Sequence, residues 1–193
     1  TVPSGVLIDH TGKVRYVAEV VLGATSTTND AEGQVTPTPG AAAPTEQAVR
    51  AALGGLVGEI LQRPPAHSAV HVAGRRAYRL ARAGQQVDLP PRPVSVHAIE
   101  PLGYEYPRLR IDVRCGTGTY VRALARDVGQ ALGVGGYCSA LTRTEVGPFR
   151  LGEAVGPDEL DPARDLLDPL TGLAGLSRVA VDDEGARRLA LGK

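Results

Sequence analysis

The 193-residue sequence contains no methionine and no tryptophan, one phenylalanine and two cysteines. With only Cys115 and Cys138 available, a disulfide framework is excluded. Neither the thiols nor His10, His67, His71 and His97 carry metal-ligand spacing. Free thiols fit a reducing compartment, so a cytoplasmic location is expected. No apolar run approaches the ~20 residues of a membrane span. The N-terminus has no basic segment followed by an apolar one, so no signal peptide is expected. A chain that begins at Thr1 and has no internal methionine is expected to be a fragment of a longer product. No Ser/His/Asp, paired-carboxylate or Cys/His arrangement stands out.

What is present is arginine, unevenly placed. Formal net charge is zero, yet residues 61–150 hold thirteen Arg and no Lys against six acidic residues, and the remainder is correspondingly acidic. Segregation of this kind suits a polyanion partner for the middle segment, and it equally suits a solvated arginine-rich surface.

Length allows one or two domains and a sizeable core. Residues 14–22 alternate and predict a strand. Residues 24–33 read as a polar loop, and residues 34–45, rich in Pro, Ala and Thr, as a mobile surface loop. Val49, Leu53, Leu56, Val57 and Ile60 fall at helical spacing, which predicts a helix over 46–60 with Thr45 as its cap. A short strand, a turn at Ala73-Gly74 and a basic helix over 76–83 follow, with Gly84 as the stop. Strands are predicted over 94–99, 108–115 and 139–150, a helix over 119–132, and short helical pieces after 156. Strands interleaved with helices, without βαβ regularity, predict an α+β fold.

The stretch RCGTGTYVRALARDVGQALGVGG, 114–136, is where strand and helix meet. It is no phosphate loop, having neither GK[ST] nor a third turn glycine. Gly116 and Gly118 permit a tight turn, and Thr119 could cap the helix. On the preceding strand, Leu109, Ile111, Val113 and Cys115 should face the core, with Arg108, Arg110 and Arg114 on the other side beside Asp112. That arginine face suits phosphate contacts, or a solvated face with one Arg–Asp pair.

Three blocks in order resemble the bacterial tRNA pseudouridine synthase B (TruB) family. KVRYVAEVVLGATSTTNDAEGQV, 13–35, is similar to its DKxYxAxxxLGxxTxTxDxxGxV pattern. PPAHSAVHVAGRRAYRLARAGQQV, 64–87, is similar to PPxYSAxKxxGxRxYxxARxGxxV. CGTGTYVR with Leu124, Asp127, Gly129, Leu132, Gly133, Leu141 and Arg143 is similar to CSKGTYIRxLxxDLGxxLGxGAHxxxLRR. The resemblance implies a mainly antiparallel mixed sheet of the pseudouridine synthase type with flanking helices. It implies isomerisation of a tRNA T-loop uridine after base flipping, without cofactor or metal. It implies that Arg122 ion-pairs with the catalytic aspartate, and that Tyr16 stacks on the uracil. It further implies that Leu141 lines the pocket. Tyr120 and Arg76 are expected to bind substrate, and so are Arg108 and Arg110, from the arginine face of their strand. A monomer is expected.

The sequence departs from the pattern in several places. The family's GHTGTLDPxASG segment, which carries its nucleophilic aspartate, has no counterpart: His10-Thr11-Gly12 runs directly into Lys13. Asp9 matches an aspartate of the family's opening strand, and Asp127 is rotated away from Arg122 along the helix. Ala66-His67 and His71 stand where the family has Tyr and Lys. Residues 1–175 are expected to form an incomplete catalytic-type domain, and 176–193 to begin a C-terminal RNA-binding module. The alternative to the enzyme is an inactive RNA-binding chain of the same family. A carboxylate within reach of Arg122 is the observation that bears on the choice.

Overall fold

The computed structural model describes residues 13–72, 74–85, 87–177 and 179–192. Asp9, and the opening strand expected around it, lie outside the described residues.

Alternation sets the central strands. β1 (Val14–Leu22) pairs antiparallel with β8 (Arg108–Cys115) on one side and β9 (Gly136–Val146) on the other. β7 (Arg92–Glu105) and β4 (Gly58–Gln62) continue the sheet beyond β8, and β10 (Phe149–Arg150) closes the edge beyond β9. The strand order is β10-β9-β1-β8-β7-β4. Ala18, Val20 and Leu22 of β1 and Leu109, Ile111, Val113 and Cys115 of β8 form one fully buried face, as period-2 patterning requires. We call this face the front. Helices α1 (Glu46–Gly54) and α3 (Val121–Ala131) cover it, inserting Val49, Leu53, Leu124 and Val128 into the same core. β9 carries two irregularities against β1, one skipping Ser139 and one skipping Thr144.

α3 lies unusually close to β9. A Cβ on Gly129 would stand 2.2 Å from the backbone of Gly135 and Gly136, so only glycine permits the approach. The fold is therefore α+β with a mainly antiparallel sheet, as expected. An isolated parallel bridge joins Asp30 to Cys138 of β9.

Three local expectations are corrected. The helix predicted over 46–60 ends at Gly54, although Thr45 caps it as expected, accepting from Ala48 N at 3.2 Å. Gly54, Gly55 and Gly58 (φ 108°) break the backbone, so Ile60 joins edge strand β4. Residues 24–33 contain a strand, β2 (Ala24–Ser26), paired with β3 (Val35–Pro37). The segment 34–45 is not a free loop. Thr38 N donates to Gly23 O at 2.8 Å, Tyr104 Oη donates to Pro44 O at 2.7 Å, and Ala41 packs against the core.

The short hairpin β5 (His71–Val72) and β6 (Arg75–Arg76) leads into α2 (Ala77–Arg82), which stops at Gly84 with φ 73°. After β10 come α4 (Pro162–Asp165) and α5 (Asp183–Ala190), both exposed. Among the described residues no helix is long and apolar enough to cross a membrane.

Candidate active site

β8 ends at the core residue Cys115, the chain turns through Gly118 (φ 83°), and α3 begins. The helix start is not capped by Thr119. Tyr120 is the N-cap, with no side-chain cap of its own. Its backbone is held instead by Gln62 of β4, a nearly fully buried side chain. Gln62 Oε1 accepts from Tyr120 N at 2.8 Å, and Gln62 Nε2 donates to Tyr120 O at 3.2 Å.

Arg122 sits in the first turn and points away from the apolar stripe, as its position predicts. It is no free surface arginine. Nη1 donates to the carboxylate of Asp30 and to Thr28 O at 3.4 Å, and Nη2 donates to His67 O at 3.1 Å. The guanidinium thus ties α3 to the 26–33 turn and to the loop after β4. Side-chain exposure is 25% for Arg122 and 18% for Asp30, a screened but solvent-reachable pair.

Asp30 is held from every side. Asn29 adopts φ 61°, a left-handed conformation that asparagine tolerates, and it turns the next residue toward α3. Asp30 Oδ1 accepts from the Thr28 hydroxyl and from Glu32 N, the latter at 3.1 Å, while Oδ2 accepts from Arg122. Burial pushes the Asp30 carboxyl up, but the Thr28 and Arg122 hydrogen bonds outweigh it and hold the group below its ordinary value. Cys138 N donates to Asn29 O at 3.0 Å, which fixes the turn against β9. Burial, and then the Asp30 charge, raise the Cys138 thiol to about 11.

The ion pair forms a wall between two hollows. One is lined by Cys138 and Leu141 of β9, the other by His67, Ser68, Tyr78, Arg82 and Tyr120. Ser68 Oγ and His67 Nδ1 are buried without a hydrogen-bond partner among the described residues. On the front face, Tyr16 lies opposite Arg143 and Ala18 opposite Leu141, so Tyr16, Leu141 and Arg143 share the side on which Arg122 lies. The Arg143 guanidinium stands 5.4 Å from the Tyr16 ring centroid, and that of Arg92 stands 5.2 Å from Tyr120, both within cation–π range.

Of the expected site residues, the structure brings together Arg122, Tyr120 and Leu141, with Tyr16 on the same face. Arg76 stands aside, its Nη1 donating to Ala69 O at 2.7 Å and bracing the loop that carries Ser68. Arg108 and Arg110 are not part of this site. On β8 they lie opposite Val21 and Glu19 of β1, on the back of the sheet. Asp127 pairs with Arg126 and does not approach Arg122.

Two residues escaped the sequence reading. Asp30, the partner of Arg122, was visible as the aspartate of the TSTTND block, but sequence distance hides an ion pair that only folding creates. Gln62 gave no signal, because a glutamine in a short edge strand reads as solvated.

Comparison with known proteins gives a family. The model of the TruB family pseudouridylate synthase N-terminal domain matches residues 6–121. The tRNA pseudouridine synthase B of Corynebacterium aurimucosum is 44% identical over 92% of the chain and 62% of that protein. Its namesake from Mycolicibacterium paratuberculosis is 51% identical over 75% of the chain and 51% of that protein. The chain thus spans between half and two thirds of the length of these relatives. Among solved structures, the crystal structure of a Cbf5–Nop10–Gar1 complex aligns with TM-score 0.55 and 25% identity, over 83% of the chain and 40% of the matched one. With the antiparallel sheet, the Arg122 helix and these matches together, the chain belongs to the TruB family of pseudouridylate synthases.

Proposed function

We propose that the protein serves as a tRNA pseudouridine synthase, isomerising a T-loop uridine, with the Arg122–Asp30 pocket receiving the flipped base. The observation that carries this reading is the ion pair itself, a fixed charge at the mouth of α3 flanked by Leu141 on one side and Tyr120 on the other. The names borne by the relatives support tRNA as the substrate class.

The chemistry sets the demands. Extruding a base costs a few kcal/mol, which aromatic and apolar surfaces must offset. Tyr16, Leu141 and Tyr120 supply such surfaces. The isomerisation breaks the bond between ribose C1′ and N1, joins C1′ to C5, and releases the C5 proton while N1 takes one up. It is redox-neutral. Cleavage calls for an ionised carboxylate beside the ribose, and Arg122, charged at any usable pH, favours ionisation of an acid placed next to it.

Asp30 serves better as an anchor than as that nucleophile, because both of its oxygens already accept hydrogen bonds from Thr28, Glu32 and Arg122. This same saturation favours a second reading, in which the 193-residue chain binds RNA without turning it over. Release of tritium from C5 of labelled tRNA transcript separates the two. Turnover by the chain as it stands carries the first reading, and turnover that appears only once a GHTGTLDPxASG segment is placed between Gly12 and Lys13 carries the second. In that restored form, Arg122→Lys should cost about 10²-fold or more in rate. Turnover by the 193-residue chain with a covalent adduct trapped on Asp30 would make Asp30 the nucleophile and overturn its assignment as an anchor.

A further inference from the structure

On the back of the sheet, at the end where β1 begins, a concave pocket is lined by Lys13, Arg15, His97, Arg114, Glu145 and Arg150. Its floor is a clamp. Arg15 Nε donates to Asp112 at 2.9–3.0 Å, and Arg15 Nη1 donates to Glu145 Oε1 at 3.0 Å. These bonds, led by that to Asp112, raise the Arg15 pKa above its ordinary value. Asp112 is buried at 7% exposure.

One arginine therefore absorbs two carboxylates that three arginines share. Arg114 Nε is 4.0 Å from Asp112 with its side chain 59% exposed, and Arg150 Nη1 is 3.5 Å from Glu145 at 65%. Both side chains are more than half exposed, and His97 is exposed as well. Arg108 and Arg110 are differently placed. Their cross-strand neighbours include Glu105 and Glu19 respectively, each a local counter-charge.

We propose that this pocket is a second RNA-contact site, in which Arg114 and Arg150 bind backbone phosphate on the face of the sheet opposite the uridine pocket. The proposal rests on the reading of the protein as an RNA-modifying one. RNA backbone is favoured over an acidic polypeptide by position. The pocket adjoins β9 and β10, and the same β9 presents Arg143 on the front beside Tyr16 and Glu145 on the back beside Arg15. A polynucleotide crossing the short β10 edge could therefore engage both faces of one strand. Guanidinium forks suit phosphate oxygens bidentately, and such contacts position a nucleic acid without reading its sequence.

The test uses the full 193-residue chain and a T-arm hairpin transcript, with the dissociation constant followed by fluorescence anisotropy across roughly 50–200 mM salt. Arg114→Ala combined with Arg150→Ala should flatten the salt slope by about one to two units. Arg114→Lys with Arg150→Lys should keep the slope, and so exclude misfolding as the cause. Arg108→Ala with Arg110→Ala should change it less than the first pair. An unchanged slope in the Arg114/Arg150 alanine variant, with wild-type binding intact, overturns the back-face site and leaves the uridine-pocket reading standing. Wild-type protein that fails to bind the hairpin overturns the RNA reading itself. Competition by polyglutamate as effective as by polyuridylate would assign the pocket to an acidic polypeptide and overturn the proposal.

Discussion

Gln62 and Tyr120 form a two-point clamp: one buried carboxamide satisfies both the backbone N–H and the backbone C=O of the residue that opens α3. Arg122 lies two residues further on, so the direction of its guanidinium depends on a side chain from the edge strand.

Replacing Gln62 by Leu removes donor and acceptor together and leaves the Tyr120 N–H without its partner, while the Tyr120 C=O keeps Ala123 N and Leu124 N. We expect a loss of about 1–3 kcal/mol in urea unfolding from that one stranded group. A loss under about 0.5 kcal/mol would mean that water replaces the carboxamide.

Asp30 should leave a signature in acid. Its folded-state pKa is depressed, so its stabilising contribution is complete above the unfolded value near 4 and is lost as pH falls through the folded value, below 3.8. The stability gap between wild type and Asp30→Asn should therefore be largest at neutral pH and shrink in strong acid. A gap that stays constant from neutrality into strong acid would show that Asp30 is not held ionised by Thr28 and Arg122.

Residues 34–45 should exchange amide hydrogens unevenly. Thr38 N is bonded to Gly23 O and Ala41 N to Thr38 O, so both should be protected relative to Gly40 and Ala43, for which no backbone bond donated by the amide is found among the described residues. Uniform fast exchange across the segment would restore the mobile-loop expectation.

Gly129→Ala should destabilise by at least about 1–3 kcal/mol, because the added methyl meets backbone, not a side chain that can swing aside. A neutral effect in thermal unfolding would mean that α3 can retreat from β9 at little cost.

Regular patterning carried far in this sequence. The alternation in 14–22 and 108–115 placed two central strands and their buried face, and the stripe on 121–131 placed the covering helix. It failed where apolar spacing was ambiguous: Leu56, Val57 and Ile60 extend a helical pattern across glycines that end the helix. Proline and threonine at 34–45 read as disorder because tertiary anchors, such as Tyr104 on Pro44, leave no trace in local composition. The separation of Arg108 and Arg110 from the site was legible in principle. Alternation put them opposite Ile111 and Val113, and α3 had to pack on the side of those residues. Asp30 and Gln62 were not legible, since each acquires its role from a residue more than fifty positions away.

Parity decides which side of the sheet β9 serves. Cys138 and Val146 are an even number of positions apart and both are buried, so an unbroken strand joining them would send the odd-numbered Leu141 and Arg143 backward, away from Tyr16. Skipping Ser139 reverses the phase, and skipping Thr144 restores it. Between the two, the four residues Ala140–Arg143 run out of step, which brings Leu141 and Arg143 to the front beside Tyr16. Two one-residue phase shifts that cancel thus keep both ends of β9 in one parity, and a pairing slip that erased the first, with Cys138 held in place, would turn Leu141 and Arg143 to the back.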